Sequence, residues 1–289
     1  MQTITSKLEE MAESIADLMR RFLLDYTSLH KMRQMNHIKI AGRIYVYDEL
    51  SVEGRQLQTH LLREYRQYHS LLSVLLTGLP HSSLREFERT HRILTDILDL
   101  GRTGYKTVEQ VLEAGEKALG TQCQLLHHLN DPHEGRVILV PDTNAFYFNP
   151  KLEVWSYSEF DKFTFALLPT VLNELDEHKE SHRNEDVRKK AQKLIRQIKE
   201  YRRRGSLTNG VPIVKGKIDI FAVAIEPDMQ NTLEWLDSIS PDDRILASTL
   251  ELIRQRPRSS VMLVTRDINL QNKAEFAGLP FVEPPDQVN

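Results

Sequence analysis

Apolar residues in the first 130 positions recur at the three- and four-residue spacing that is typical of amphipathic helices. The clearest stripe runs from Leu8 to Leu29 and predicts one long helix, and a second helix is predicted for residues 57–76. Three segments pair a hydroxyl residue with Glu or Gln three positions later, the signature of a helix-starting capping box. They are Ser6–Glu9, Ser83–Glu86 and Thr107–Gln110. The first half is therefore predicted to be all-helical, with one short stretch at 40–47 that could be extended.

After residue 135 the pattern changes to short apolar runs that alternate with helical stretches. The runs, which we interpret as strands, are residues 137–140, 163–168, 218–225 and 261–265. Strands that alternate with helices need crossover connections, which predict a parallel sheet covered on both faces. The predicted fold class is α/β, with a three-layer α/β/α domain at 135–289 after an all-α domain at 1–134. The polar, turn-rich segment 130–135 is predicted to link the two.

The overall composition is that of a globular protein and restricts its setting. With 40% hydrophobic and 27% charged residues, the chain can bury a sizeable core, which excludes global disorder. A single cysteine, Cys123, excludes an intrachain disulfide and favours a reducing compartment, so we expect a cytoplasmic location. No run of about 18 apolar residues and no apolar signal-peptide core can be found. We therefore expect no membrane association.

Four acidic residues lie where a predicted strand ends or a predicted helix begins. Asp142 and Asp267 follow strands, Glu174 lies one turn into a helix opened by proline, and Asp243 lies in the first turn of a serine-capped helix. Because sites in parallel sheets form outside the carboxyl ends of the strands, we expect the four side chains to approach one another. Clustered carboxylates raise one another's pKa unless a cation balances them. Mg²⁺ or Mn²⁺ is the cation that such hard oxygen ligands favour.

A divalent cation held by carboxylates is suited to phosphodiester hydrolysis, because it activates water and offsets the charge of the transition state. Other interpretations exist for each residue taken singly. Asp142 could form an ordinary turn, and Asp243 and Asp267 could simply favour the start of a helix. Glu174, His178 and His182 share one helix face, which leaves a zinc site as an alternative.

Four motifs in the second half, in this order, resemble the PIN domain family. They are PDTN at 141–144, LPTVLNELDEHK at 168–179, DDRILA at 242–247 and VTRDINL at 264–270. The resemblance covers roughly residues 136–284 and does not extend to the helical half. It implies a metal-dependent nuclease, usually an endoribonuclease, in which three or four acids hold Mg²⁺ or Mn²⁺.

The resemblance also implies roles for individual residues. The positions that match the metal-holding and catalytic acids are Asp142, Glu174, Asp243 and Asp267. The polar positions that would support them are Thr143, Asn144, Asp242 and Thr265. Asp243 is preferred to Asp242 as the third acid because of its spacing to the apolar residues that follow.

Basic residues are concentrated after the helix of Glu174, although the net charge of the chain is −3. Between residues 183 and 204, ten lysines and arginines stand against three acids, a local charge of +7. A solvated helix face is one interpretation, and a surface that follows a phosphate backbone is the one we favour. The residues predicted to bind nucleic acid, around this segment and near the acids, are Lys179, Arg183, Arg188, Lys189, Arg244 and Arg266.

The residue patterns predict metal-dependent hydrolysis of a phosphodiester, and the resemblance to the PIN domain family implies an endoribonuclease that acts on single-stranded RNA. A structure-dependent DNA nuclease and a non-catalytic nucleic-acid-binding module are the alternatives. The apolar stripe from Leu8 to Leu29 also suggests that the helical half associates with a second copy or with a regulatory protein. Trp155 and Trp235 are expected to be packing residues, with base stacking by Trp155 as the alternative.

Overall fold

The computed structural model describes residues 3–31, 44–77, 79–127, 129, 135–224 and 226–287. The chain forms two compact units, one of Thr5–Leu129 and one of Asn130–Asn289 together with Met1–Ile4. Residues 130–134 of the predicted linker lie outside the described residues. Residues 40–43 of the stretch predicted to be extended, 40–47, also lie outside them. Among the described helices, none is long and apolar enough to cross a membrane.

The described residues of the first unit form four helices and one small antiparallel ladder. The helices are α1 (Ile4–Tyr26), α2 (Val52–Leu76), α3 (His81–Leu98) and α4 (Val108–Leu126). The ladder joins β1 (Leu29–Lys31) to β2 (Tyr45–Tyr47). The prediction of one helix as far as Leu29 is therefore wrong at its end, because the helix stops at Tyr26 and Leu29 pairs with Tyr47.

The apolar stripe of α1 is buried within the first unit. Leu8, Ile15, Met19 and Phe22 are all buried, and Met19 packs against α4 at Gly115. A Cβ atom at Gly115 would lie only 2.7 Å from the sulfur of Met19, so a larger residue there would require the end of the Met19 side chain to shift. The stripe is thus a core face, and it does not offer a surface for a second copy of the chain.

One of the three predicted capping boxes is present. The hydroxyl of Thr107 accepts a hydrogen bond from the Gln110 N–H at 3.3 Å, and the Gln110 side chain accepts one from the Lys106 N–H at 2.9 Å. The other two predictions are wrong, because α1 begins at Ile4 and α3 begins at His81. In α3 the N-cap position is a proline, whose fixed φ starts the helix before the hydroxyl residues are reached.

The second unit is built on a six-stranded sheet that confirms the predicted α/β class. The strands are β3 (Val137–Pro141), β4 (Phe163–Leu167), β5 (Val211–Val214), β6 (Ile218–Ala222), β7 (Ser260–Val264) and β8 (Phe281–Val282). Their order is β5-β6-β4-β3-β7-β8, and every neighbouring pair is parallel except β5 with β6. All residues of β3, β4 and β7 are buried, as expected for strands covered on both faces.

Helices connect these strands, and two short strands were not predicted. The helices are α5 (Thr143–Phe148), α6 (Pro169–Ser181), α7 (Glu185–Arg204), α8 (Pro241–Gln255) and α9 (Ile268–Phe276). The strands missed by the apolar pattern are β5 and β8, which are short, partly exposed and located at the two edges of the sheet. β5 also contains a proline, which is tolerated at a sheet edge because its position need not donate to a ladder.

The two tryptophans have opposite environments. Trp155 is buried, packs edge-on against Phe165 and donates its indole N–H to the Asn149 carbonyl at 2.9 Å. It is a packing residue, as expected. The same expectation is wrong for Trp235, which is 39% exposed.

Two stacked histidines make the stability of the first unit depend on pH. The rings of His69 on α2 and His91 on α3 lie 3.7 Å apart, and His91 Nδ1 lies 2.9 Å from the hydroxyl of Tyr65. Burial lowers the pKa of both imidazoles, that of His69 to about 4 with a contribution from the charge of His91. The folded pair is therefore kept neutral at pH values at which the unfolded chain is already protonated.

We expect this unit to be most stable above pH 6.5, the pKa of histidine in the unfolded chain. It should lose stability as the pH falls from 6.5 toward 4, because the unfolded chain then binds protons that the folded pair does not. For His69, which is partly exposed and therefore partly screened by solvent, the loss between about pH 7.5 and about pH 5 is roughly 1 kcal/mol. Urea unfolding at the two pH values measures it, with His69→Phe removing most of the difference and exposed His60→Gln leaving it unchanged. An equal pH dependence in wild type and His69→Phe would contradict the prediction.

Candidate active site

The carboxyl ends of β4, β3 and β7 lie side by side, because these three strands are parallel neighbours in the sheet. Asp142 follows β3 directly, Thr265 and Asp267 follow β7, and Glu174 lies on α6 after β4. Asp243 lies in the first turn of α8, where the N-cap Ser240 accepts a hydrogen bond from its N–H at 3.3 Å. These are the positions at which ligand sites form in open α/β sheets.

Asp142 is buried and held in one orientation. As the N-cap of α5, its Oδ1 accepts a hydrogen bond from the Ala145 N–H at 2.6 Å. Its Oδ2 accepts one from the hydroxyl of Thr265 at 2.5 Å. Thr265 also accepts a hydrogen bond from the Asp267 N–H at 3.0 Å, so one buried hydroxyl connects the acids that follow β3 and β7.

Negative charge accumulates around Asp142. Burial, together with the charges of Asp242 and Asp267, raises its pKa to about 6 against the lowering effect of its two hydrogen bonds. The pKa of half-buried Asp242 is also raised, first by burial and then by Asp267 and Asp243, while Lys273 opposes the shift. The site is thus built around a carboxylate whose ionised form is disfavoured by burial.

Glu174 reaches the same edge of the sheet through Thr143. The buried hydroxyl of Thr143, the residue after Asp142, donates a hydrogen bond to the half-buried Glu174 carboxylate. One turn further along α6, His178 Nδ1 lies 2.9 Å from the hydroxyl of Tyr147 on α5. These contacts fix α6 against α5 and keep the Glu174 carboxylate beside the end of β3.

Asp243 is paired with a lysine that no sequence motif indicated. Its buried carboxylate accepts a hydrogen bond from the Asp237 N–H at 2.9 Å and forms an ion pair of 2.6 Å with the ammonium of Lys273. Lys273 lies on α9, thirty positions along the chain. Nothing local in the sequence links the two residues, because the contact depends on how α9 packs beside the start of α8.

The remaining two predicted residues differ in their contacts. Asp267 is the N-cap of α9, and its Oδ1 accepts hydrogen bonds from the N–H groups of Asn269 and Leu270 at 2.8 and 3.1 Å. It therefore has the structural role of a helix cap in addition to its electrostatic effect on Asp142. Asn144 is exposed on α5, beyond Thr143.

The donor atoms at the site are of the chemical type that binds a hard divalent cation. They are carboxylate oxygens with hydroxyl support, the ligands that Mg²⁺ and Mn²⁺ prefer. In the part of the chain that the structure describes, however, no three Asp, Glu, His or Cys side chains close around one ion position. The four acids are neighbours without forming a finished ligand set, and Glu174, His178 and His182 do not form one either. An ion that reached Asp243 would compete with Lys273 for its carboxylate.

Most of the basic residues predicted to contact nucleic acid already have protein partners. Ion pairs join Lys179 to Asp176 at 2.6 Å, Lys189 to Glu185 at 2.8 Å and Arg244 to Glu226 at 2.7 Å. Arg188 donates to the His182 carbonyl at 2.5 Å, and Arg266 lies 4.0 Å above the ring of Phe148. Arg183 is exposed at the turn between α6 and α7. Several of these side chains therefore hold local structure, and their role in binding nucleic acid stays a prediction.

The fold and the position of the acids define an α/β domain with an acidic site at the carboxyl edge of its parallel strands. Comparison with models of known protein families matches residues 139–283 to the PIN domain, a span of half the chain that contains all four acids. The chain belongs to the PIN domain family. Membership points to a nuclease, and PIN domains are generally dependent on divalent metals. A comparison with curated proteins gave no significant match.

Proposed function

We propose that this chain is a Mg²⁺- or Mn²⁺-dependent endoribonuclease that cleaves single-stranded RNA. The observation that supports the proposal best is the buried Asp142, whose pKa is raised to about 6 beside Asp242 and Asp267. A protein gains nothing in stability from burying such a carboxylate among like charges. A divalent cation would supply the missing charge, and hydrolysis of a phosphodiester is the chemistry that uses it.

Asp142, Glu174 and Asp243 would hold the cation, with Asp267 on the side of β7. Such an ion would supply an activated water and would offset the negative charge on the phosphoryl oxygens. The protein's own contribution is to fix the ligands in advance. Thr265 and the Ala145 N–H orient Asp142, while Thr143 orients Glu174. Such support around metal ligands preserves their geometry when the substrate binds.

The RNA backbone would approach from the side of α6 and α7. Arg183 and the exposed lysines and arginines of α7 would contact phosphates, which gives affinity without reading the base sequence. The preference for RNA over DNA rests on the family, because PIN domains are mostly endoribonucleases. The metal-assisted attack itself does not require the 2′-hydroxyl, so cleavage of DNA is one of the outcomes that the experiment must distinguish.

The test is cleavage of an end-labelled single-stranded RNA and of the DNA strand of the same sequence, with Mg²⁺, with Mn²⁺ and with EDTA. We expect internal cuts in RNA with either metal and none with EDTA, and restoration of activity when metal is added back in excess. Asp243→Asn protein, purified in the same way, controls for contaminating nucleases. Cleavage that persists in EDTA, or that is equal in Asp243→Asn, would refute the proposal, and selective cutting of DNA would replace its substrate.

A further inference from the structure

Two large aromatic side chains are exposed together on the second unit. Trp235 is 39% exposed and Phe276 is 69% exposed. Their ring centroids lie 5.2 Å apart at an angle of 68°, so the rings meet edge to face. In this arrangement the rings protect each other only in part, and much of the aromatic surface faces the solvent. We call Trp235 and Phe276 the rim pair.

Both members of the rim pair belong to segments that hold Asp243. Trp235 lies two positions before Asp237, whose N–H donates to the Asp243 carboxylate at 2.9 Å. Phe276 lies three positions after Lys273 on α9, and the Lys273 ammonium lies 2.6 Å from the same carboxylate. Side chains three positions apart lie on one face of a helix. The rim pair is therefore attached to the border of the acidic site on its Asp243 side.

We propose that the rim pair is a stacking platform for an unpaired base next to the phosphate that is cleaved, an inference that rests on the proposed nuclease function. Every nucleobase has a flat π surface, and exposed aromatic side chains beside a nucleic-acid path bind bases by stacking with little preference for sequence. A duplex keeps its bases stacked on one another. The platform would thus select single strands, and it gives the site a means of discrimination that the carboxylates lack.

The acidic charge around the rim pair disfavours several other partners. Exposed Glu234 and Asp237 and half-buried Asp242 lie close to it in the chain. They would repel an acidic peptide or an anionic lipid surface, and a second copy of the chain would bring the same acidic charges to the contact. A base is neutral, and its phosphate would lie toward the cation site, where the negative charge is offset.

The experiment uses the intrinsic fluorescence of Trp235, one member of the rim pair. In the full chain carrying Trp155→Phe, Trp235 is the only tryptophan. Adding Asp142→Asn lets a mixed ten-nucleotide RNA be titrated with Mg²⁺ present while it stays uncut. We expect the single strand to quench Trp235 emission and the matching duplex to leave it nearly unchanged. Fluorescence anisotropy of labelled RNA, in the same chain with Trp235 intact, gives the reference Kd.

Substitution then tests whether stacking produces the affinity. Trp235→Leu and Phe276→Leu should each weaken binding of the single strand by roughly fivefold to a hundredfold, the effect of losing one base–aromatic stack. Trp235→Phe should restore most of it. Tyr105→Leu is the matched control, because Tyr105 is 40% exposed on the first unit, and it should change nothing.

The proposal and the nuclease function can fail separately. Metal-dependent cleavage without quenching, or with unchanged Kd in both leucine variants, would overturn the platform and leave the nuclease. Quenching and weakened binding without any cleavage would support the platform while the nuclease function fails. A concentration-dependent dimer in sedimentation that Trp235→Leu dissolves would overturn the platform in favour of self-association.

Discussion

Replacing Asp142 by asparagine is expected to reduce RNA cleavage by about a thousandfold or more while making the second unit more stable. A thousandfold loss corresponds to about 4 kcal/mol of transition-state stabilisation, which is reasonable for removing a charged ligand from a catalytic cation. Single-turnover cleavage at saturating Mn²⁺ measures the loss. Calorimetric titration of the same variant should show weaker metal binding.

The expected gain in stability follows from the sign of the pKa shift. The pKa of Asp142 is raised from 3.8 to about 6 in the folded chain, so at neutral pH ionisation costs more in the folded state than in the unfolded state. Removing that charge stabilises the unit at pH 7 by up to about 3 kcal/mol, and the gain disappears as the pH falls through 6 toward 3.8. Asparagine keeps an oxygen for the Ala145 N–H, and its amide can donate to the Thr265 hydroxyl.

Opposite changes in activity and stability separate this prediction from simple damage to the fold. A variant that lost activity because it was misfolded would melt at a lower temperature than the wild type. Asp161→Asn makes the same chemical change at an exposed position and should leave both cleavage and the melting temperature unaltered. Full activity in Asp142→Asn would remove Asp142 from the metal-holding set.

The features of this protein that could be predicted from its sequence are those determined by residues that are close together along the chain. A buried strand followed by Asp142, a proline that opens α6 and a serine that caps α8 each have a local signature, and the acids were placed by it. The parts that could not be predicted depend on distant packing. The ion pair of Asp243 with Lys273, and the exposure of Trp235 beside Phe276, are set by how α9 lies against the start of α8.

The helix starts and the basic residues illustrate the same limit. Ser6 and Ser83 carry the signature of a cap, yet the helices begin before them, since the signature does not reveal competing starts upstream. The positive charge of α7 is real, but the sequence could not indicate that Lys189 would pair with Glu185 or that Arg188 would bind backbone carbonyls. Charge counts predict the field of a surface better than they predict the role of one side chain.

Replacing Lys273 by methionine is expected to tighten Mn²⁺ binding by about tenfold and to destabilise the metal-free protein. The Lys273 ammonium contacts Oδ1 of the Asp243 carboxylate at 2.6 Å, so a metal at Asp243 would compete with the lysine for this carboxylate. Removing one positive charge a few ångströms from a divalent ion favours the ion by about 1–4 kcal/mol, depending on the local dielectric. Without metal, the buried Asp243 loses its partner, at a cost of about 1–2 kcal/mol because Lys273 itself is partly exposed.

These two effects can be tested by measuring how the Lys273→Met variant responds to Mn²⁺. Calorimetric titration with Mn²⁺ should give a lower Kd for Lys273→Met, and the increase in melting temperature on adding Mn²⁺ should be larger than in the wild type. Lys179→Met is the matched control, because Lys179 also pairs with an aspartate at 2.6 Å but this aspartate, Asp176, is exposed, and the substitution should alter neither quantity. If Lys273→Met bound Mn²⁺ more weakly, Lys273 would be a support for the ligands. If it bound Mn²⁺ more tightly, Lys273 would be the protein's own counter-charge, holding Asp243 in place until the metal arrives.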